Sequence, residues 1–116
     1  MSVYVIAELK FTQREIYDRY QARFAEVFQK FKGRLLVADE RPLVLEGLFD
    51  RDQVVVLEFP DEAAAIEFQE SVEYGKIAVE REAGADALVL MVRGRSNEAR
   101  ENIKARDVWA MTLGWH

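Results

Sequence analysis

The chain has 116 residues, of which 50% are hydrophobic and 32% are charged, and its formal net charge is -5 at pH 7. This length fits one domain with a hydrophobic core of its own. Binding of phosphates requires a basic face, so the acidic balance predicts no nucleic-acid partner. No apolar run approaches the ~20 residues that cross a bilayer, so we also predict no membrane partner.

The scarcity of cysteine and histidine excludes several kinds of chemistry. The sequence has no cysteine, and its one histidine, His116, is the last residue. Thiolate chemistry, disulfides and sites built on internal histidines are therefore not expected. Glycine-rich phosphate loops are not present either. We predict no metal and no cofactor, and a cysteine-free chain fits a cytoplasmic location.

The first predicted elements are a strand over residues 3–9 and an amphipathic helix. Thr12 and Glu15 have the spacing of a capping box at the start of this helix. Apolar residues then recur at intervals of three and four, as expected for one buried helix face. They are Ile16, Tyr20, Phe24, Val27, Phe28 and Phe31. Gly33 is the expected left-handed end of the helix.

The remaining elements complete the order β-α-β-β-α-β. Two short strand pieces are predicted over residues 34–38 and 43–46, and a strongly β stretch covers residues 53–59. Pro60 cannot donate to a sheet and Asp61 is a good helix cap, so a helix begins there. Ser71 caps a second helical piece that ends at Gly84, and a last strand covers residues 87–92. This order predicts an α+β fold, a ferredoxin-like sandwich.

The predicted strands are apolar on both faces, which indicates a partner. In a sheet with helices on one side, the strands should alternate apolar and polar residues. Tyr4 and Ile6 are nevertheless apolar like their neighbours, and residues 54–57 and 87–92 show the same pattern. The second face must be covered, and the economical cover is the sheet of a second copy. We therefore predict a homodimer.

Several short motifs, in this order and spacing, resemble a known family over residues 3–94. They are Tyr17, Tyr20, Gly33-Arg34, Glu46-Gly47, Glu58-Phe59-Pro60, Ser71-Val72-Glu73-Tyr74 and Arg81. They resemble DUF1330, a family of the dimeric α+β barrel superfamily. The resemblance implies a barrel of two packed sheets formed by residues 1–94 of each copy. The chain departs from many members at Ala38-Asp39-Glu40, where they have an arginine and two glycines.

Glu8 and Glu58 are the candidate catalytic residues. The first and third strands of this fold are expected to be central, parallel neighbours, and each glutamate is the sixth residue of its strand. With Val55, Leu57 and Phe59 under the helices, both carboxylates would point between the two sheets near one end. Two carboxylates that share a partly dry site cannot both ionise easily, so the pKa of one of them should rise. General acid–base catalysis requires such a raised pKa. The alternative is that both are exposed and paired with arginines.

Tyr17, Tyr20 and Arg81 are the candidate ligand-binding residues. These two tyrosines and Tyr74 could offer hydroxyl groups to a ligand, or pack in the core with the hydroxyl in water. Arg81 on the second helical segment could bind a ligand carboxylate with two parallel hydrogen bonds, or form a salt bridge with a nearby glutamate.

Residues 95–116 are predicted to form an extension beyond the main domain. Trp109, Met111, Leu113 and Trp115 alternate with smaller or polar residues, a period that is typical of a strand. We expect this arm to cross to the partner subunit or to close a pocket, in preference to a disordered tail.

Two functions remain open at this point. The first is a cofactor-independent enzyme or binder of a small organic molecule, with a glutamate as proton-transfer group. Related barrels that include cofactor-free monooxygenases and isomerases support it by fold analogy. The second is a non-catalytic dimeric module for ligand sensing or protein interaction. A buried glutamate with a raised pKa in a closed pocket favours the first, whereas fully solvated carboxylates and a barrel filled by side chains favour the second.

Overall fold

The computed structural model describes residues 1–95. In chain order the elements are β1 (Val3–Phe11), α1 (Arg14–Phe28), β2 (Arg34–Asp39), β3 (Gln53–Phe59), α2 (Glu62–Gln69), α3 (Val72–Gly84) and β4 (Ala85–Arg93). The four strands form one sheet in the order β2-β3-β1-β4, and all pairs are antiparallel. The α+β, ferredoxin-like fold is therefore confirmed. The predicted arm with Trp109 and Trp115 lies outside the described residues.

The helices cover one face of the sheet, which we call the inner face. On β3, Leu57 and Phe59 are buried on this face and Val55 is partly buried, as their alternation predicted, and Gln53 is buried with them. The opposite, outer face has no covering element among residues 1–95. None of the described helices is long and apolar enough to cross a membrane.

The starts of α2 and α3 follow from local capping, as predicted. The side chain of Asp61 accepts a hydrogen bond from the backbone nitrogen of Ala64 at 2.8 Å. The hydroxyl of Ser71 accepts one from the backbone nitrogen of Tyr74 at 3.1 Å. Each cap satisfies a backbone donor that lacks a partner in the first turn. The second cap also fixes Tyr74 in the first turn of α3.

The predicted capping box of α1 is wrong. The N-cap residue is Gln13, and it makes no side-chain cap hydrogen bond. The backbone nitrogens of Thr12 and Gln13 instead donate to the carbonyl oxygen of Gly84, at 2.9 and 3.0 Å. A Cβ atom at Gly84 would lie 2.5 Å from the backbone nitrogen of Tyr17. The end of α3 thus anchors the two residues that lead into α1, in place of the predicted side-chain cap, and the two helices are in close contact.

Two predictions for the region after α1 are also wrong. Gly33 has no positive φ, because α1 ends at Phe28; its role is steric, since a Cβ atom there would lie 2.5 Å from the Phe28 ring. Residues 43–46 form no strand. The pairing of β2 with β3 ends at Asp39, whose carboxylate accepts from the backbone nitrogen of Arg41 at 2.8 Å and turns the chain away.

Candidate functional site

A cavity of about 260 Å³ lies between the inner face of the sheet and the helices. Its wall is mainly apolar, with Val5, Leu57, Phe24 and Phe68 among the residues that contribute to it. A second depression of about 270 Å³ shares Val5 and two other residues with it and continues toward β4. A small apolar molecule would fit between the two layers, because such pockets are usually apolar with a few polar groups.

One polar group of the cavity comes from a buried pair of side chains. Gln53, the first residue of β3, is 1% exposed. Its Oε1 accepts a hydrogen bond of 2.7 Å from the hydroxyl of Tyr17 on α1. The pair satisfies a polar group that would be costly to bury without a partner. Sequence reasoning missed Gln53, although a polar residue in step with Leu57 and Phe59 was a usable signal.

A second polar group joins α1 to α3. The hydroxyl oxygens of Tyr20 and Tyr74 lie 3.0 Å apart, and both residues are buried in the cavity wall. Either oxygen can be the donor. Whichever donates, the other hydroxyl keeps its own hydrogen. The pair can therefore hold itself together and still donate one hydrogen bond to a ligand.

Burial keeps the hydroxyls of Tyr17 and Tyr20 protonated. It is the largest cause that raises the pKa of Tyr17 to about 12, and the nearby Tyr74 adds to this effect. Burial likewise raises the pKa of Tyr20 far above its ordinary value, with Tyr74 as the second cause. Both side chains are thus neutral at physiological pH. They can position a ligand by hydrogen bonding, and they are poor proton acceptors.

Arg81 is the one charged residue among the described residues that line the cavity. It lies in the last turn of α3, and its side chain is 14% exposed. Its Nε is buried and has no hydrogen-bond partner within residues 1–95. The nearest carboxylate oxygen in that part of the chain belongs to Glu82, 3.9 Å from a terminal nitrogen, which is too long for a hydrogen bond.

The predicted juxtaposition of Glu8 and Glu58 is wrong. Strands β1 and β3 are antiparallel, so Glu8 lies opposite Val54 whereas Glu58 lies opposite Tyr4. Four residues of strand, about 13 Å, therefore separate the two positions along the sheet. The predicted face is right, because both alternate with the buried residues of their strands. Neither glutamate belongs to the cavity wall.

Glu58 is held by an ion pair on the outer face. Arg34 donates to Glu58 Oε1 through Nε at 2.9 Å and through a terminal nitrogen. This hydrogen bonding is the main cause that lowers the pKa of Glu58 below its ordinary value of 4.5. The shift is opposite to the one that acid–base catalysis was expected to need. For Glu58 the alternative, a carboxylate paired with Arg34, is the arrangement observed.

The segment Ala38-Asp39-Glu40 lies partly at the cavity, because Ala38 contributes to its wall. Glu40 lies outside the wall and pairs with Arg14 on α1 at 2.7 Å. Within residues 1–95 no group of three or more acidic, histidine or cysteine residues could hold a metal ion.

The antiparallel order of the sheet and its helical cover define the class of this protein as ferredoxin-like α+β. Within that class, the model of DUF1330, a domain of unknown function, matches residues 2–95. The chain therefore belongs to the DUF1330 family. No curated protein matches the sequence.

Solved structures share the fold at low sequence identity. A protein of unknown function from Rhodopseudomonas palustris has a TM-score of 0.69 and 20% identity, over 82% of this chain and 83% of its own. A dimeric ferredoxin-like protein of unknown function from Jannaschia has a TM-score of 0.60 and 15% identity, over 81% and 100%. SnoaB, a cofactor-independent oxygenase from Streptomyces nogalater, has a TM-score of 0.57 and 15% identity, over 83% and 95%.

Proposed function

We propose that this protein is a dimeric α+β barrel that binds a small organic molecule in the cavity between sheet and helices. The observation that carries the proposal is the cavity itself, about 260 Å³ with an apolar wall and a few polar groups. A core that served only for packing would contain few voids larger than a water molecule. The volume lies just below the ~300–1,000 Å³ of typical ligand pockets, so the ligand is small.

The polar groups give the cavity a means of orienting its ligand. Tyr17, Gln53, Tyr20 and Tyr74 are linked in two hydrogen-bonded pairs of 2.7 and 3.0 Å. Arg81 adds a guanidinium group to the same wall. Ligand sites typically combine an apolar body with a small number of such placed groups. Ligand binding by Tyr17, Tyr20, Tyr74 and Arg81 thus stays the prediction made from the sequence, and Gln53 is added to it.

The outer face supports the dimer. Its apolar side chains on β4 are exposed in one chain, among them Leu88, Leu90 and Val92. By the strand register they share a face with Ile6 of β1, which in turn lies opposite Val56 of β3. A patch of this extent in water favours association. The dimeric protein from Jannaschia, with the same fold, agrees with an assembly of two copies.

Binding has more support than catalysis. SnoaB, a cofactor-independent oxygenase, shows that this fold can carry a reaction of that kind, and it is the basis for proposing cofactor-free chemistry here. The proton-transfer role of Glu8 and Glu58 stays a prediction, and it concerns the outer face, since neither residue lines the cavity. The cytoplasmic location and the lack of a nucleic-acid partner also stay predictions.

A specific observation favours the alternative, a non-catalytic interaction module. The loop between β2 and β3 presents Leu43, Leu45 and Leu48 to solvent, each more than four-fifths exposed. Exposed leucines so close together in sequence are unusual on a soluble surface, where they often mark a contact site. The two functions are compatible if the cavity binds a signal and the loop contacts a partner.

Binding of an uncharged aromatic probe tests the proposed cavity. We expect 1-naphthol to bind saturably and to shift the amide NMR signals of residues in the cavity wall. Ala25 on α1 lies at the exposed edge of the cavity, so the substitution Ala25→Phe should obstruct the opening and weaken binding at least about tenfold, the effect of losing ~1.4 kcal/mol. Ala22→Phe is the matched control, because Ala22 is exposed on the same helix and lies outside the wall.

The two variants separate the outcomes. Weaker binding to Ala25→Phe with unchanged binding to Ala22→Phe supports the cavity as the site. Equal binding to both would place the probe elsewhere, and no saturable binding to the unmodified protein would overturn the proposed function.

A further inference from the structure

The guanidinium of Arg81 differs in its partners from those of Arg14, Arg23 and Arg34. Arg14 and Arg23 each lie within 2.8 Å of a carboxylate oxygen, and Arg34 is paired with Glu58. These arginines are at least 47% exposed, whereas the side chain of Arg81 is 14% exposed. The least exposed of these cations is therefore the one without a hydrogen-bonded carboxylate in the described part of the chain.

A charge in this position is unfavourable without a counter-ion. Burial removes water from the guanidinium, and only a carboxylate or another set of acceptors can replace it. Glu82 does not serve, since its nearest oxygen is 3.9 Å away and its side chain is 67% exposed. The buried Nε has no acceptor within residues 1–95. The arginine thus has binding capacity that the described residues leave unused.

Arg81 contributes to the wall of a space that an anion can enter. Arg81 lines the cavity together with the tyrosine hydroxyls and Gln53. One hydroxyl of the Tyr20–Tyr74 pair has a hydrogen to donate. A cation and a neutral donor at one end of an apolar cavity suit an acceptor-only group with two oxygens.

We propose that the ligand of this cavity is a small organic carboxylate, with its apolar body against the sheet and its carboxylate on Arg81. This inference rests on the proposed function, because it names the class of molecule for the same cavity. Arginine binds a carboxylate through two parallel hydrogen bonds, which fixes the orientation of the ligand as well as its charge. The Tyr20–Tyr74 pair then donates to a ligand oxygen beside the guanidinium.

The experiment compares two probes that differ in charge. 3-Phenylpropionate carries a carboxylate, and 3-phenylpropanamide has the same shape without the charge. We expect the protein to bind the carboxylate at least about tenfold more tightly than the amide, as measured by titration with amide NMR. In Arg81→Gln the two affinities should agree within about twofold, with binding of the amide unchanged. Arg81→Lys should retain part of the preference, because it keeps the charge and loses the planar fork.

Two further measurements guard against a purely structural effect. Arg19→Gln removes an arginine whose side chain is 65% exposed on α1, and it should leave the preference unchanged. Without ligand, Arg81→Gln should unfold at the same temperature as the unmodified protein or above it, because it removes a buried charge that lacks a counter-ion. A lower unfolding temperature would mean that Arg81 has a structural partner, which contradicts the proposal.

The outcomes separate this inference from the proposed function. If the unmodified protein binds both probes equally, the carboxylate preference is wrong and the cavity remains a ligand site. If it binds neither probe and does not bind 1-naphthol, the proposed function is wrong and the inference is wrong with it. The comparison of probes on the unmodified protein needs no variant, so a failure of Arg81→Gln to fold would not obscure the result.

Discussion

The two faces of the sheet both carry apolar and charged side chains, but these side chains differ in whether they have a partner or a cover. In the cavity on the inner face, polar groups such as Tyr17 and Gln53 form neutral pairs, here with a hydrogen bond of 2.7 Å, and Arg81, the cation of the cavity wall, lacks a hydrogen-bonded carboxylate among the described residues. On the outer face the cation Arg34 is paired with Glu58, and the apolar side chains have no cover within residues 1–95. The cavity thus lacks an anion, and the apolar outer face lacks a cover in this part of the chain.

This difference indicates which kind of partner each face can take. A small ligand can supply one carboxylate, but it cannot cover an exposed sheet. A second copy of the sheet can cover the apolar patch around Val56 and Leu90, but it cannot enter the cavity behind β1 and β3. Covering apolar area and neutralising a buried charge are separate physical requirements. We therefore propose that the chain dimerises through the outer face and binds a ligand on the inner face.

The largest expected effect comes from a charge placed on the outer face. Val56→Glu should weaken the dimer about 100-fold or more, equivalent to roughly 2.8 kcal/mol, because a twofold axis would bury two added carboxylates in one interface. Sedimentation at micromolar concentration should then show the mass of one chain. Val79→Glu is the control, since Val79 is 60% exposed on α3.

A dimer that withstands Val56→Glu, or an unmodified protein that sediments as a single chain, would show that the outer face is not the interface. The proposal that the chain dimerises through the outer face would then be wrong. Ligand binding in the cavity could still be measured in either case.

A smaller effect concerns the neutral polar groups of the inner face at alkaline pH. An unfolded tyrosine loses its proton near pH 10, whereas folded Tyr17 keeps it up to about pH 12. The folded state therefore binds more protons in this window, and the free energy of unfolding should fall as the pH rises from 10 to 12. Below pH 10 this contribution should be constant.

Urea unfolding between pH 8 and 12 measures this slope. In Tyr17→Phe the slope above pH 10 should be shallower than in the unmodified protein. The same variant should lose about 1–3 kcal/mol at neutral pH, because the buried Oε1 of Gln53 loses its donor. An unchanged alkaline slope would mean that Tyr17 is more accessible to water than its burial indicates.

The smallest expected effect concerns the ion pair of the outer face. Glu58 should titrate below 4.5 in carboxyl-detected NMR, because Arg34 favours its charged form. The stability that this pair contributes is present above pH 4.5 and is lost as the pH falls through the lowered pKa. Arg34→Gln should return the pKa of Glu58 toward its ordinary value. A pKa of Glu58 above that value would contradict the ion pair and support proton transfer by this residue.

Local spacing in the sequence was enough for the features that depend on neighbouring residues. The caps at Asp61 and Ser71 were predictable because donor and acceptor lie three positions apart. The inward alternation of Leu57 and Phe59 was predictable because side chains of a strand point to opposite faces in turn. The order of elements, and with it the fold, followed from such local signals.

The candidate site was only partly predictable, because it depends on how distant elements meet. Tyr17 and Gln53 are 36 positions apart, and their hydrogen bond requires the contact of α1 with the start of β3. The separation of Glu8 from Glu58 depends on strand direction, which the residue pattern of each strand does not specify. Replacement of the predicted α1 cap by the carbonyl of Gly84 depends on where α3 ends.

The sequence by itself determined that this chain forms an α+β sheet with helices on one face and an apolar face opposite. The fold class and the character of each sheet face depend on the preferences of many residues. A wrong prediction for one element therefore does not change them. Only the tertiary structure decided that Arg81 faces a cavity without a hydrogen-bonded carboxylate in residues 1–95, whereas Glu58 has Arg34. Such pairings are decided by side-chain distances of a few ångströms, which the packing of helices on the sheet sets and the order of residues does not.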